Sequence, residues 1–166
     1  ERMGPDGEIV VPFDREQAAA LVDALAASDV EAIAVTFLHS YANPRHEQWM
    51  GDLLRERIPD RFVSLSIEVL PEIREYERTS TTVVNAYIGP PITRYLRSLR
   101  RQLDDAGLKG RLLMMQSSGG ILDADRVIEK PAQIVESGPA AGVIAAARIG
   151  RACGYPNLIT LDMGGT

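Results

Sequence analysis

"LITLDMGGT", Leu158–Thr166, sets a short apolar run against an aspartate, two glycines and a threonine. Leu158 to Leu161 reads as a strand, and the residues after Asp162 as a turn at its carboxyl end. In an α/β sheet, ligands bind outside the carboxyl ends of the strands. Glycine lets successive N–H groups turn inward and removes the Cβ that would hold a phosphate away. Thr166 adds a hydroxyl donor, and Asp162 offers a carboxylate to Mg²⁺ through the ion's water shell. Asp162, Gly164, Gly165 and Thr166 are therefore the first candidate anion-binding set, with Asp162 the candidate metal contact.

A second stretch repeats the arrangement. "LLMMQ" (Leu112–Gln116) has the length and character of a buried strand and empties into Ser117, Ser118, Gly119 and Gly120, the candidate opposite wall. Spacing alone carries little weight here, because a strand followed by glycines is commonly an ordinary turn. Neither stretch has the terminal lysine of a phosphate loop or the three spaced glycines of a dinucleotide fingerprint. Ser117 has no histidine placed to activate it, so it is not read as a nucleophile.

Upstream, strand and helix signals alternate. Glu8–Val11 reads as a strand, and Asp14 with Gln17 forms a capping box. Ala18, Leu21, Val22 and Leu25 then give a helix one apolar face, and Ala32–Leu38 reads as a strand covered on both sides. Asn43 and Pro44 open a second helix, with Trp49, Met50, Leu53 and Leu54 as its buried stripe. Val63, Leu65, Ile67 and Val69 alternate with polar residues, which predicts one continuous strand. A long helical region follows, with Val83, Val84, Tyr87 and Ile88 on one face. Gly89-Pro90-Pro91 should break or bend it before it ends at Gly107. An alanine-rich helix opens at Ser137 or Gly138 with Pro139 in its first turn and closes at Gly154. The expected class is α/β, a mixed sheet with flanking helices.

Composition narrows the function. With 45% hydrophobic and 25% charged residues in 166, the chain can bury a core and stay soluble. A net charge of −5 with no dominant basic run argues against a nucleic-acid partner. Arg94, Arg97, Arg100 and Arg101 read as a solvated helix face. No apolar run approaches the roughly 20 residues of a membrane span. The lone Cys153 forms no internal disulfide, which suits the cytoplasm, and its alanine-rich surroundings predict a small buried residue. His39 and His46 lack partners at metal-ligand spacing, so a metal site of protein side chains alone is not expected. Within Arg74–Thr79, Glu75 and Glu77 would suit an acid and a base if buried. The helix dipole favours a solvated helix start instead.

"EVLPEIREYERTSTTVVNAYI" (Glu68–Ile88), "QSSGGIL" (Gln116–Leu122), "ESGPAAGVIAAA" (Glu136–Ala147) and "ITLDMGGT" (Ile159–Thr166) resemble the hydantoinase A and 5-oxoprolinase family. "IAVTFLHSYANPRHE" (Ile33–Glu47) resembles the end of that family's N-terminal region. Residues 1–68 would then complete the N-terminal region, and 69–166 would begin the hydantoinase A domain. The resemblance implies part of an actin-like (ribonuclease H-like) ATPase fold, cut at the start of its second domain within a longer subunit. On that reading Leu158–Thr166 packs irregularly, pairs with an available sheet or reaches into a neighbour, and the open edge is a route to dimers. It implies ATP and Mg²⁺ as cofactors, and a hydantoinase B-type subunit or fused second half as partner. The implied chemistry is ATP-dependent opening of a cyclic amide by the parent, the piece alone being inactive. A related ATP-dependent ketone carboxylase and a purely structural module are the alternatives.

Overall fold

The computed structural model describes residues 1–164. They form two compact units, Glu1–Thr93 and the chain from Arg94 onward.

In the first unit, β1 (Arg2–Met3) and β2 (Ile9–Val11) pair antiparallel through a turn where Gly7 takes φ +86°. The helix α1 (Arg15–Ala26) begins where Asp14 Oδ1 accepts the Gln17 N–H at 3.0 Å, as the capping pattern predicts. Strands β3 (Ala32–Val35) and β4 (Phe62–Leu65) run parallel in the register Ala32–Phe62 to Val35–Leu65, joined by the crossover helix α2 (Arg45–Arg57). Ala18 and Val22 of α1, Met50 and Leu54 of α2, Val35, Ile58 and Leu65 close into the core. The approach of α2 to β4 is close enough that a Cβ on Gly51 would lie 2.5 Å from Leu65 Cδ1. Among the described residues β3 has β4 as its sole strand neighbour. Along it lies a groove of about 670 Å³ lined by Phe13, Leu25, Ile33 and Val35.

Two expectations change here. The alternating stretch Val63–Val69 is not one strand: β4 stops at Leu65, and Ser66–Val69 turns into the short helix α3. The partner strand β3 ends at Val35, and the Ile67 N–H that a ladder would use donates instead to Glu47 Oε1 at 3.0 Å. The long helix α4 (Glu75–Asp105) runs through Pro90 and Pro91 without interruption. Each proline removes one intrahelical bond but keeps a φ suited to the helix. Its inward face is also not the apolar one: Arg78, Thr82, Asn85 and Ala86 are buried, while Val83, Val84 and Tyr87 are exposed. Polar partners on neighbouring elements decide that face, since Asn85 Nδ2 donates to Ser64 Oγ at 3.0 Å.

The second unit takes the last turns of α4, with Arg94, Arg97, Arg100 and Arg101 exposed as a helix face. Gly107 at φ +76° ends the helix, and the Leu108 N–H donates to Leu103 O at 3.0 Å. β5 (Leu113–Met115) and β6 (Ile121–Asp123) form an antiparallel hairpin around the Ser117–Gly120 turn, followed by α5 (Ala124–Glu129) and a 3-10 turn over Pro131–Ile134. With one strand partner, β5 is half-exposed rather than buried. The alanine-rich helix is α6 (Ser137–Ala152), and none of its residues is fully buried. Cys153 is exposed where a buried residue was expected, because it caps the helix instead of lying within it. Leu158–Leu161 is irregular and exposed, the first of the three expected outcomes. Strands need ladder partners, and this segment has none among the described residues. The class is mixed α/β, the strands among the described residues divided into three two-stranded sheets, one parallel and two antiparallel.

Candidate functional site

Because β3 and β4 are parallel, their carboxyl ends lie on one side, and polar side chains collect there. Glu47, on the same face of α2 as Met50 and Leu54, is fully buried. Its carboxylate accepts the Phe37 N–H just past β3, the Ile67 N–H just past β4 and the Ser66 hydroxyl, each at 3.0 Å. One side chain thus ties together the segments leaving both strands.

Arg78, from the first turn of α4, is also fully buried. Its guanidinium donates to Phe37 O at 2.8 Å, to Ser66 Oγ at 2.9 Å, to Ser40 Oγ and to Glu75 Oε2, and lies 4.0 Å from Glu47 Oε2. The planar fork suits this task, which the point charge of a lysine would not meet. Desolvating these charges is costly, and several simultaneous hydrogen bonds are what make the burial tenable.

The cluster reaches the surface through the loop after β3. Glu75 Oε1 accepts the backbone N–H of His39 at 3.2 Å, and His39 O accepts from Ala42 N at 2.9 Å and Asn43 N at 3.2 Å. His39 takes φ +56°, a left-handed conformation unusual for a residue with a side chain. Its Nδ1 lies 3.2 Å from Tyr41 Oη, and the Arg78 guanidinium carbon lies 5.8 Å from the centre of the Tyr41 ring. Nε2 of His39 has no partner among the described residues. His46, by contrast, is buried against Phe13 and Trp49, with Nδ1 2.8 Å from Glu1 Oε2.

Charged residues on helices read as solvated, which is why Glu47 and Arg78 escaped the sequence reading. The available signal was periodicity, since Glu47 precedes Met50, Gly51 and Leu54 at helical spacing. Glu75 belongs to the cluster, while Glu77 is exposed and lies 3.5 Å from Arg74.

The glycine stretches lie elsewhere. In the Ser117–Gly120 turn, the Ser117 N–H donates to Gln133 O at 2.7 Å and the Gly119 N–H to Gln116 O at 2.9 Å, while Ser117 Oγ accepts the Glu136 N–H at 3.0 Å. Gly119 has φ +87°, and a Cβ there would lie 2.7 Å from Ile144 Cδ1; at Gly120 it would lie 2.4 Å from Gln116 Oε1. The space over both glycines is filled by this chain's own side chains. The N–H groups of Ser118 and Gly120 and the Ser118 hydroxyl remain without partners among the described residues. These donors are available to an anion. Asp162 and Gly164 are exposed and irregular, and no hydrogen bond joins them to the Ser117–Gly120 turn. Asp162 as a lone carboxylate fits a metal ion only through water; no group of three metal-ligating side chains occurs among the described residues. Gly165 and Thr166 lie outside the described residues. In the same unit, Asp123 caps α5: the Asp125 N–H and then the Arg111 guanidinium at 3.1 Å hold its carboxyl below the usual aspartate range.

Comparison with known proteins places these features in a family. The family described as hydantoinase/oxoprolinase matches residues 78–166, and the hydantoinase/oxoprolinase N-terminal region matches residues 1–58. The alpha subunit of caprolactamase from Pseudomonas jessenii is 38% identical over 165 residues, covering 99% of this chain and 24% of its own length. The 5-oxoprolinase of Saccharomyces cerevisiae is 37% identical over 170 residues, covering 98% of this chain and 13% of its own length. The crystal structure of the ATP-dependent caprolactamase superposes with a TM-score of 0.87 over 99% of this chain and 24% of that one. The nucleotide-free acetone carboxylase, from work on ATP-dependent acetone carboxylation, does so at 0.80 and 30% identity, over 93% of this chain and 22% of that one. The chain therefore spans a quarter or less of the length of these relatives, and it belongs to the hydantoinase/oxoprolinase family.

Proposed function

We propose that the polypeptide to which this chain contributes opens cyclic amides, such as hydantoins, 5-oxoproline or lactams, in an ATP-dependent reaction. The observation that carries this reading is the likeness to the caprolactamase alpha subunit, at 38% identity and a TM-score of 0.87 over essentially the whole chain. An amide resists water because its nitrogen lone pair is delocalised into the carbonyl. Bound ATP, with Mg²⁺, would supply phosphoryl activation of that carbonyl oxygen.

The residues of this chain contribute positioning. Ser118 N–H, Gly120 N–H and the Ser118 hydroxyl would hold one phosphate oxygen, and Asp162 would orient the water shell of the metal. Glu47 and Arg78 fix the loops at the carboxyl ends of β3 and β4, so that groups there meet substrate without reorganisation. These contributions are partial, and the 166-residue chain alone is inactive. Relatives named as subunits support a companion subunit as partner.

A ketone carboxylase is the second reading, favoured by 31% identity over 170 residues to the acetone carboxylase beta subunit of Xanthobacter autotrophicus. The full-length protein with its companion separates the two. Nucleotide turnover should depend on a hydantoin, 5-oxoproline or caprolactam and yield the ring-opened acid. Turnover requiring acetone or acetophenone with bicarbonate, and none with any cyclic amide, would overturn the first reading.

A further inference from the structure

The loop after β3 holds one group whose construction exceeds what folding requires. His39 sits at φ +56°, its backbone N–H gripped by Glu75, which is gripped in turn by the fully buried Arg78. Strain of this kind persists where the surroundings over-determine it. Here they do: Ser66 and Ser40 bind the guanidinium that anchors the loop, and Glu47 binds the Phe37 N–H at the loop's start. The product of this scaffolding is an imidazole with Nδ1 engaged by Tyr41 Oη and Nε2 left open, at the carboxyl ends of two parallel strands. In its protonated form the ring donates Nδ1–H to Tyr41 Oη and holds a second proton on the open Nε2.

We propose that His39 is a catalytic residue that donates the Nε2 proton to the leaving ring nitrogen when the cyclic amide opens. The inference rests on the ring-opening reading above. In the step, the carbon–nitrogen bond breaks and its electron pair stays on nitrogen. That nitrogen takes the Nε2 proton and leaves the imidazole neutral, water gives its hydroxyl to the carbonyl carbon, the activating phosphoryl group would depart as inorganic phosphate, and the proton that water sheds recharges the ring. An amine anion is too poor a leaving group to depart unprotonated, so a placed acid contributes at this point. Tyr41 is the titratable side chain against the ring, the Arg78 guanidinium lies over the Tyr41 ring, and the Glu75 carboxylate holds the His39 backbone N–H.

The test uses the full-length protein with its companion subunit. His39→Asn is the primary variant, because asparagine tolerates the left-handed backbone, and His39→Gly guards against failure to fold. The expected result is a fall in kcat of about 100-fold or more with little change in KM, and loss of one limb of the pH profile. ATP hydrolysis should persist, uncoupled from ring opening. Diethyl pyrocarbonate modification of His39, mapped by peptide mass on the wild type, gives a readout besides activity: saturating cyclic amide with ATP should protect it. Variants within threefold of wild type, or a modification rate unchanged by the amide, overturn the proposal. A wild type that opens no cyclic amide overturns the function reading instead, and protection by the amide then still reports contact at His39, while its absence overturns that contact too.

Discussion

The guanidinium of Arg78 and the carboxylate of Glu47 face each other at 4.0 Å with neither side chain exposed, and Ser66 bridges them by donating to Glu47 and accepting from Arg78. Removing one partner leaves the other charged and buried, at a cost of about 3–5 kcal/mol. Arg78→Ala and Glu47→Ala should each open β3 and β4 to hydrogen exchange by that amount in the full-length protein. The double change to methionine should cost less than the sum. A single-variant loss below about 1 kcal/mol would show that the pair does not hold the strand ends together.

The contact between α2 and β4 depends on a missing side chain. Gly51→Ala gains about 1 kcal/mol of helix propensity but places a methyl 2.5 Å from Leu65 Cδ1, in a core where Leu65 is 1% exposed. Overpacking costs about 1–3 kcal/mol, so a net loss is expected, measured by exchange protection in α2 and β4. Leu65→Val in the same background should recover part of it. Increased protection in Gly51→Ala alone would refute the close contact.

Gly119 meets two demands together, φ +87° and the side chain of Ile144. Gly119→Ala should destabilise the β5–β6 hairpin by about 1–2 kcal/mol, the cost of left-handed backbone for an L-residue. Gly119→Asn should cost less from the backbone. Equal protection of β5 amides in wild type and Gly119→Ala would contradict the turn geometry.

The cap made by Asp123 should add to the acid sensitivity of the second unit. Its folded carboxyl titrates below the usual value, chiefly through the Asp125 N–H and then Arg111. The stabilisation it gives is therefore complete above the ordinary aspartate value of about 4 and is lost as pH falls through the lowered folded value. Thermal melts in acid should show the wild-type hairpin and α5 losing stability faster with falling pH than Asp123→Asn does. Parallel slopes would rule out this cap as the source.

Local signals were legible wherever one residue and its near neighbours settle the outcome. Asp14 caps α1 because the Gln17 N–H is three residues away in any helix that starts there. Gly107 ends α4 for an equally local reason. The family was also legible, since long motifs in a fixed order need no coordinates. The Ser117–Gly120 turn was found, but the use of its N–H groups by Gln133 and Gln116 was not.

Which face of a helix points inward was decided elsewhere. Val83, Val84 and Tyr87 carry the apolar pattern on α4, yet Arg78, Thr82 and Asn85 are the residues that bury. Arg78 and Asn85 find acceptors on β4, on α3 and in the loop after β3 that lie 12 to 41 positions away in the chain, while Thr82 donates within its own helix to Arg78 O. The same holds for Ile67, whose strand pattern yields to the carboxylate of Glu47. The sequence by itself determined helices α1, α2 and α6, the caps at Asp14 and Gly107 and the kinship, because those depend on neighbours along the chain. Only the tertiary structure could decide that a buried arginine and glutamate would gather at the ends of β3 and β4 and present His39, since a charge is buried only where distant groups replace the water it loses.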